Sequence, residues 1–444
     1  MLGLSPEWLV ILMFVGLFIG LFSGHPLAFV LGGLAVIFGL IGSWGPNIFS
    51  LFPNRIYGTM DNYVLLAIPL FIFMAQFLDQ SGVTEALFDA LRYLLGPMRG
   101  GIGIAVILVC TVFAACTGVI GASVVAMGLL ALPMMLRYGY DKQLTCGAIC
   151  AGGTLGILIP PSIMLVVMGS EASLSVGKLF AGAIVPGLIL AALYTGYIAI
   201  RCYKNPEMGP PISPEELAQV TKRQIALKVL KSLLPPVILI LGVLGSLFAG
   251  IATPTEASGG GAFLAFLLVL AYGKFSWRDL QQAVVKTART STMVLIVLVG
   301  ATCFTGVFLG NGGGDVVTEF VLGLGFGKWG TFLVMQIIVF ALGMFIDWIG
   351  IVLICFPMFL PIAEQLGFDK LWFVVIMAVN LQASFLTPPF GYALFYLRGI
   401  AVEGVETVDI YKGIVPFVVL MLVGLIICTI FPQTVTWLPT LVVK

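Results

Sequence analysis

The sequence predicts an all-α polytopic membrane protein, on the strength of its composition, the spacing of its charges and an internal duplication. Of its 444 residues, 60% are hydrophobic and only 9% are charged, whereas soluble domains carry about 25% charged residues. This composition excludes a soluble single-core enzyme and a disordered chain. Because the net charge is +1, the protein has no strong overall electrostatic field that would attract a polyionic partner. We therefore expect no nucleic acid to bind.

Uncharged stretches long enough for one membrane crossing recur along the chain. A helix needs about 20 apolar residues to cross a bilayer. The first stretch, residues 8–54, has 47 residues and is predicted to hold two crossings that turn at His25-Pro26. Glu7 and the absence of a basic region before the first stretch favour a spanning helix over a cleavable signal. Single crossings are predicted at residues 62–78, 179–200, 232–255, 257–273, 290–314 and 413–443.

Two longer apolar regions do not fit a single crossing. Residues 100–136 are uncharged over 37 positions, and residues 329–363 cover 35 positions with Asp347 near the middle. We predict that each region is a re-entrant helical hairpin, because irregular backbone at mid-membrane depth is tolerated inside protein or beside a watery cavity. A segment broken by a proline pair follows each hairpin, at residues 143–170 and 371–397. Since a double proline removes two backbone donors, both segments are predicted to be discontinuous helices.

The two regions are copies of each other. Pro160-Pro161 recurs as Pro388-Pro389, and Gly139–Lys142 matches Gly367–Lys370, both at an offset of 228 positions. We therefore predict an internal duplication. Its parts are a first repeat at residues 1–200, a cytoplasmic linker with an interfacial helix at 201–231, and a second repeat at 232–444.

The charges of the loops predict the orientation of the repeats. Alternating crossings place 16 of the 21 Lys and Arg residues on one side, which the positive-inside rule assigns to the cytoplasm. Because the first repeat has five crossings, an odd number, the second repeat has the opposite orientation in the membrane. An inverted repeat with broken helices is typical of secondary transporters.

The hairpin tips and proline breaks hold the candidate binding residues. Freed backbone carbonyls and hydroxyls can coordinate a hard monovalent cation, while the N-termini of half-helices favour an anion. This pattern predicts sodium beside a carboxylate substrate; the alternative is that small residues merely permit close helix packing. The candidate sodium ligands are Thr117, Gly118, Ser123, Gly153, Thr154, Gly343, Asp347, Ser384 and Thr387. The candidate substrate-binding residues are Thr117, Pro161, Ser162, Asp347, Pro388 and Gly391.

Asp347 is the sharpest single candidate, because an acid at mid-membrane depth indicates function. Three roles are open to it: coordinating the cation, carrying a proton, or capping the hairpin turn. Cys146 and Cys150 lie one helical turn apart without a nearby histidine or second thiol pair. We therefore expect no transition metal, no disulfide framework and no cofactor other than sodium as the coupling ion. We also expect no catalytic residues.

Several motifs resemble the large membrane subunit of tripartite ATP-independent periplasmic (TRAP) transporters. The most specific is Gly-Gly-Thr-Leu-Gly-Ile-Leu-Ile-Pro-Pro-Ser at residues 152–162, and further motifs cover 252–257 and 342–361. At the first tip many relatives resemble Ser-Gly-Ser-Ser, where this chain reads Thr-Gly-Val-Ile-Gly-Ala-Ser from Thr117 to Ser123.

This resemblance implies an elevator-type fold of the ion-transporter superfamily in the bacterial inner membrane. It implies sodium-driven import of an organic acid, delivered by a periplasmic binding protein, with a separate small four-helix membrane subunit beside this chain in the lipid bilayer. It also places the sodium and substrate ligands at the tips and breaks. Two alternatives stay open: a stand-alone ion-coupled carboxylate carrier or antiporter that needs no binding protein, and an intramembrane enzyme or channel.

Overall fold

The protein is helical throughout the part of the chain that the computed structural model describes. That part comprises residues 5–42, 44–118, 120–218, 220–389, 391–400, 402 and 404–443, with only the backbone of Cys116, Thr117 and Ala218. Eight helices in this part are long and apolar enough to cross a membrane. The predicted all-α polytopic fold is therefore confirmed.

The helices are numbered in chain order. The first half contains α1 (Pro6–Phe22), α2 (Leu27–Ile41), α3 (Ile48–Met60), α4 (Ala67–Ser81), α5 (Val83–Leu95), α6 (Gly101–Thr117), α7 (Ile120–Arg137), α8 (Lys142–Thr154), α9 (Ile163–Glu171) and α10 (Val176–Lys204). A short α11 (Pro214–Ala218) lies in the connection. The second half contains α12 (Lys222–Phe248), α13 (Pro254–Ala271), α14 (Trp277–Gly310), α15 (Gly313–Gly323), α16 (Gly327–Gly343), α17 (Trp348–Gln365), α18 (Lys370–Ser384), α19 (Tyr392–Ile400), α20 (Thr407–Ile430) and α21 (Gln433–Val442).

Both predicted hairpins and both discontinuous helices are present. In the first hairpin α6 ends at a left-handed Gly118, with φ of 62°, before α7 begins. In the second hairpin Met344–Asp347 separate α16 from α17. The helix pairs α8–α9 and α18–α19 are interrupted at the proline pairs, each of which includes a cis peptide bond. The sequence signals that predicted these breaks are local, which is why their positions agree with the structure.

The helices of the two halves pack in reciprocal pairs. The offset of 228 relates α2 to α13, α7 to α17, α8 to α18 and α10 to α20. Accordingly α8 packs on α20 while α18 packs on α10, and α7 packs on α19 while α17 packs on α9. The outer helices follow the same rule, since α2 packs on α14 while α13 packs on α4. Reciprocal contacts of this kind are what a two-fold relation between two copies produces.

One hydrogen bond joins two equivalent positions of the halves. Gln382 Nε2 donates to Thr154 Oγ1 at 3.3 Å, and the two residues are 228 positions apart. Both side chains are buried. Equivalent residues can touch only close to the axis that relates their copies, so this pair lies at the approximate two-fold axis.

The helices form two layers. The division follows the contacts between helices, most of which are made within each group: we call α1–α5 and α12–α15 the scaffold layer, and the hairpins, the broken helices, α10, α20 and α21 the core layer. In the core layer, 72% of the best spanning window of α17 is buried. Burial varies within each layer, since the corresponding share is 33% for α20 of the core layer, 56% for the segment that contains α4 of the scaffold layer, and 33% for α12 and α13. The apolar side chains of α12 and α13 face outward. Outward-facing apolar side chains on long helices suit contact with lipid.

The connection between the halves differs from the predicted linker. Residues 222–231, predicted to belong to an interfacial helix within the linker, continue without interruption into the spanning part of α12. The Ser232 hydroxyl donates to the Lys228 carbonyl one turn back at 2.7 Å, and the helix also continues past Pro235-Pro236. Residues 277–290, which hold the charges before the next apolar stretch, similarly form the start of α14.

The segment before α11 is fastened across the cytoplasmic base of the first hairpin, as the predicted orientation places it. Gly100 N donates to Gly209 O at 2.9 Å, and Asp141 N donates to Met208 O at 3.0 Å. The Tyr138 hydroxyl donates to Glu216 Oε1 at 2.5 Å. Burial and this hydrogen bond raise the pKa of Tyr138 to about 12. The phenol therefore stays protonated, and able to donate, throughout the neutral pH range.

We expect Tyr138→Phe to loosen this segment without unfolding the protein. Loss of the hydrogen bond to Glu216 should cost about 1 kcal/mol locally. Amide hydrogen exchange of residues 205–217 should then become about fivefold faster, while exchange in α8 stays unchanged. Tyr203→Phe is the matched control, because the Tyr203 side chain is exposed. Equal exchange in the Tyr138 variant and the parent would contradict the assigned role of the hydroxyl.

Candidate functional site

Both hairpin tips reach one cavity between the scaffold and core layers. Its volume is about 420 Å³, and Gly118 of the first tip and Asp347 of the second both line it. The scaffold wall is formed by Pro26–Phe29 at the start of α2 and by residues of α14 from Thr290 to Val297. The other residues of the core wall are Ile120, Gly121, Ile157, Ile163, Trp348, Ile349, Phe385, Tyr392 and Tyr396.

The first tip lies directly on the first proline break. A methyl group placed on Gly118 would lie 3.0 Å from the Pro161 carbonyl oxygen and 3.3 Å from the Ile163 backbone nitrogen. Ser162 is the N-cap of α9 and accepts a hydrogen bond from Leu165 N, while its hydroxyl donates to Ile157 O. The structure thus brings together Gly118, Pro161 and Ser162. The backbone of Thr117 ends α6, and its side chain lies outside the described residues.

Ser123, Gly153 and Thr154 lie behind the cavity rather than on its surface. All three are buried, and a methyl group on Gly153 would come within 3.2 Å of the Val124 backbone nitrogen. Thr154 Oγ1 donates to Ala151 O at 2.9 Å. Gly153 therefore packs closely against α7, where a larger side chain would collide with Val124.

The second tip places Asp347 at the cavity. This residue is the N-cap of α17 with extended backbone, and its side chain forms no capping hydrogen bond. Asp347 thus stands at the start of the second arm of the hairpin and lines the cavity. Gly343 packs directly on Ser384 of α18. Ser384 is buried, and its hydroxyl donates to Asn380 O at 3.2 Å.

The remaining predicted residues lie at the second break but do not line the cavity. Thr387 Oγ1 donates to Ala383 O at 2.9 Å, which closes the last turn before the proline pair. Pro388 is exposed. Gly391 adopts φ of 47°, and a methyl group there would lie 3.5 Å from Thr387 O. The second break is thus turned back on itself by a residue in the left-handed region.

Two tyrosines of the core wall were not predicted from the sequence to line the site. Tyr392 and Tyr396 lie one turn apart on α19, and both line the cavity. The ring of Tyr396 covers the first tip, because a methyl group on Gly121 would lie 2.9 Å from its Cζ. The spacing of the two tyrosines was a signal for one helix face, but nothing local indicated which surface that face meets.

Buried amides in α16 and α18 were missed as well. Asn380 Nδ2 donates to Gln336 O at 2.7 Å and to Gln336 Oε1 at 2.9 Å. Within the described residues, Asn380 Oδ1 and Gln382 Oε1 have no hydrogen-bond partner. The available signal was the presence of polar residues inside an otherwise apolar segment, which in a membrane protein indicates a specific role.

The charge of the cavity is unbalanced. Among the described lining residues, Asp347 is the one carboxylate, and no Lys, Arg or His lines the wall. The rest of the wall is apolar apart from backbone groups, the indole N–H of Trp348 and the hydroxyls of Thr290, Tyr392 and Tyr396. The cavity thus offers hydrogen bonds to a polar ligand and, through Asp347 and nearby carbonyls, oxygen ligands to a cation.

Comparison with known proteins places the chain in a family. The sequence profile described as "Tripartite ATP-independent periplasmic transporter, DctM component" matches residues 10–434. The "C4-dicarboxylate TRAP transporter large permease protein DctM" of Pseudomonas aeruginosa is 34% identical over 388 residues, which cover 87% of this chain and 88% of that protein. The protein of the same name from Vibrio cholerae is 31% identical over 456 residues, covering 98% and 97%.

A solved structure is similar in fold. The crystal structure of the YdaH transporter of Alcanivorax borkumensis aligns with a TM-score of 0.66 at 14% identity, covering 97% of this chain and 100% of that one. At that identity the likeness concerns the fold alone. The family match, by contrast, extends over nearly the whole chain and includes both hairpins and both breaks. This chain therefore belongs to the DctM family of TRAP transporters and is a large permease subunit.

Proposed function

We propose that this subunit carries out sodium-driven import of an organic acid across the bacterial inner membrane. TRAP large permeases work with a small membrane subunit and a periplasmic binding protein. We propose that the small subunit here is a separate four-helix protein and that the binding protein delivers the acid to the cavity. The observation that carries the proposal is the placement of both hairpin tips on one cavity whose sole charged side chain among the described residues is Asp347.

The charge of the cavity supports coupling to a cation. A carboxylate substrate would meet the Asp347 carboxylate without any basic side chain in the described wall, and like charges repel strongly in a site of low dielectric constant. A sodium ion held by Asp347 and by carbonyl oxygens at the tip would remove that repulsion. Substrate and sodium would then bind in a mutually favourable way, as cotransport requires.

The size and lining of the cavity support a small organic acid. A volume of about 420 Å³ falls in the range of sites for small molecules. The hydroxyls of Tyr392, Tyr396 and Thr290 are placed to donate hydrogen bonds to a carboxylate. The names of the two relatives describe C4-dicarboxylate transport, which agrees with this substrate class.

The contact between the two layers supports an elevator mechanism, in which the core layer slides along the scaffold layer with the substrate. The scaffold wall of the cavity is apolar apart from Thr290. Hydrogen bonds between the layers are local, such as Asn62 Nδ2 to Ser170 Oγ at 2.7 Å and Thr305 Oγ1 to Leu353 O at 2.9 Å. An apolar seam with local polar contacts opposes sliding less than an interlocked polar interface would.

We expect sodium to raise the melting temperature of the purified protein. A ligand that binds only the folded state stabilises it by RT ln(1 + [L]/Kd), which is about 1.4 kcal/mol at tenfold excess over Kd. Potassium and choline at matched ionic strength should have no such effect. Asp347→Asn should reduce the sodium-dependent shift by at least half. Asp315→Asn is the matched control, because Asp315 is an exposed acid of α15 away from the cavity.

A melting temperature that is the same in sodium and potassium, for this chain alone and in complex with the small subunit, would contradict sodium coupling and favour protons as the coupling ion. An equal sodium shift in the Asp347 variant and the parent would remove Asp347 from the site.

We expect Tyr396→Phe to weaken substrate binding while the fold is retained. The phenylalanine ring still covers Gly121, and only the hydroxyl is lost. Loss of one hydrogen bond of about 1 kcal/mol should raise the KM for uptake about fivefold. Uptake is measured in proteoliposomes that contain the transporter with its binding protein. Tyr411→Phe on α20, outside the cavity, should leave KM unchanged, and an unchanged KM for Tyr396→Phe would show that its hydroxyl does not contact the substrate.

Dependence on a binding protein distinguishes the proposal from a stand-alone carrier. Proteoliposomes with both membrane subunits and an inward sodium gradient should take up the acid only after the binding protein is added outside. Omitting sodium should abolish uptake at every concentration of binding protein. Full uptake of the free acid without the binding protein would instead establish a stand-alone carrier, and uptake without any ion gradient would establish a channel.

A further inference from the structure

A second cavity opens between the scaffold layer and the second hairpin. Its volume is about 630 Å³, and its walls come from α1, α15, α16 and α17. Apolar side chains line its length, among them Phe14, Val317, Ile338 and Met358. We call this cavity the lateral groove. It is distinct from the cavity that the two tips share, because no residue lines both.

Two carboxylates lie in the lateral groove. Glu7 belongs to the first turn of α1, and Glu319 lies on α15. Both side chains are exposed, and within the described residues neither forms an ion pair with a Lys or Arg. Glu7 accepts a hydrogen bond from the Ser5 hydroxyl at 2.6 Å. The predicted orientation places Glu7 and Glu319 at the outer surface of the membrane, where lipid headgroups lie.

The duplication shows that this space is filled by protein in the other half. There α12, the counterpart of α1, packs on both α5 and α6. Beside the second hairpin, α1 packs on α15, but within the described residues it packs less on α16 than α12 packs on α6. A space of this size at membrane level must be filled, because an empty apolar space forfeits packing contacts.

We propose that the lateral groove binds a phospholipid with a primary ammonium headgroup, as in phosphatidylethanolamine. One acyl chain lies along the apolar walls, and the ammonium group donates hydrogen bonds to Glu7 and Glu319. The acyl chain gives little selectivity, because bilayer lipid is as apolar as the groove. The headgroup therefore determines which phospholipid binds, since hydrogen bonds between ammonium and carboxylate groups are among the strong ones. Purely anionic headgroups are repelled by the two acids, and a quaternary ammonium cannot donate.

The test uses the full chain purified in complex with its small membrane subunit. The complex is equilibrated in micelles with equal amounts of phosphatidylethanolamine and phosphatidylglycerol, and the retained lipids are counted by native mass spectrometry. We expect about tenfold more phosphatidylethanolamine than phosphatidylglycerol on the complex. The double variant Glu7→Gln with Glu319→Gln should lose this preference, while Asp315→Asn, which alters an acid outside the groove, should keep it. Val317→Phe should fill the groove and lower the amount of lipid retained.

Three results would overturn the proposal. Equal retention of the two lipids by the parent complex would show that the groove has no headgroup preference. An undiminished preference in the double variant would place the lipid elsewhere. Lipid bound selectively by this chain alone, but not by the complex, would show that the small subunit occupies the groove. None of these results bears on sodium coupling, so the failure of this proposal and that of the proposed function are distinguishable.

Discussion

The fold depends on one constraint, which is that backbone groups freed inside a membrane must be covered by protein. The proline pairs at 160–161 and 388–389 interrupt helices and leave carbonyl and N–H groups without helical partners, whereas Pro235-Pro236 lies within the continuous helix α12. Gly118 covers the first break by lying against Pro161 and Ile163. The second break closes on itself, through the Thr387 hydroxyl and the left-handed Gly391. The hairpins are therefore needed for the fold before they serve any ligand, and the discontinuous helices α8 and α18 are buried between other helices.

The duplication satisfies this constraint twice with one design. Each broken helix packs against the long last helix of the other half, which adds to the cover that each break receives from its own half. At the axis, Gln382 and Thr154 join the ends of α8 and α18. Because Gln382 and Thr154 are in direct contact, a displacement of one break would act on the other. On the proposed function, this contact is a physical route by which an ion at one tip would influence the second.

The sequence predicted those features that depend on local chemistry. Proline pairs, the interval between charges and the repeated Gly-Tyr-Asp-Lys and Gly-Phe-Asp-Lys turns determined the hairpins and breaks to within a few residues. What it could not predict depends on contacts between distant segments. Tyr396 reaches the cavity because α19 packs on α7, and Ser123 and Thr154 lie behind the cavity because α8 ends against the hairpin. Hydroxyl and glycine content alone does not distinguish a residue that faces a cavity from one that packs behind it.

The two halves share a design but differ in one respect, and the difference bears on transport. In the first half α4 packs on α6 and α9, and Asn62 bonds to Ser170. In the second half α14 packs instead on α17, where Thr305 bonds to Leu353. On the proposed function, each half would adopt the arrangement that the other half has here, because the sequences that make the contacts are related. On the proposed elevator mechanism, exchanging the two arrangements would move the cavity toward the opposite side of the membrane. The difference between these two sets of contacts, α4 with α6 and α9 against α14 with α17, is therefore what transport would reverse. The reciprocal packing within the core layer would stay constant.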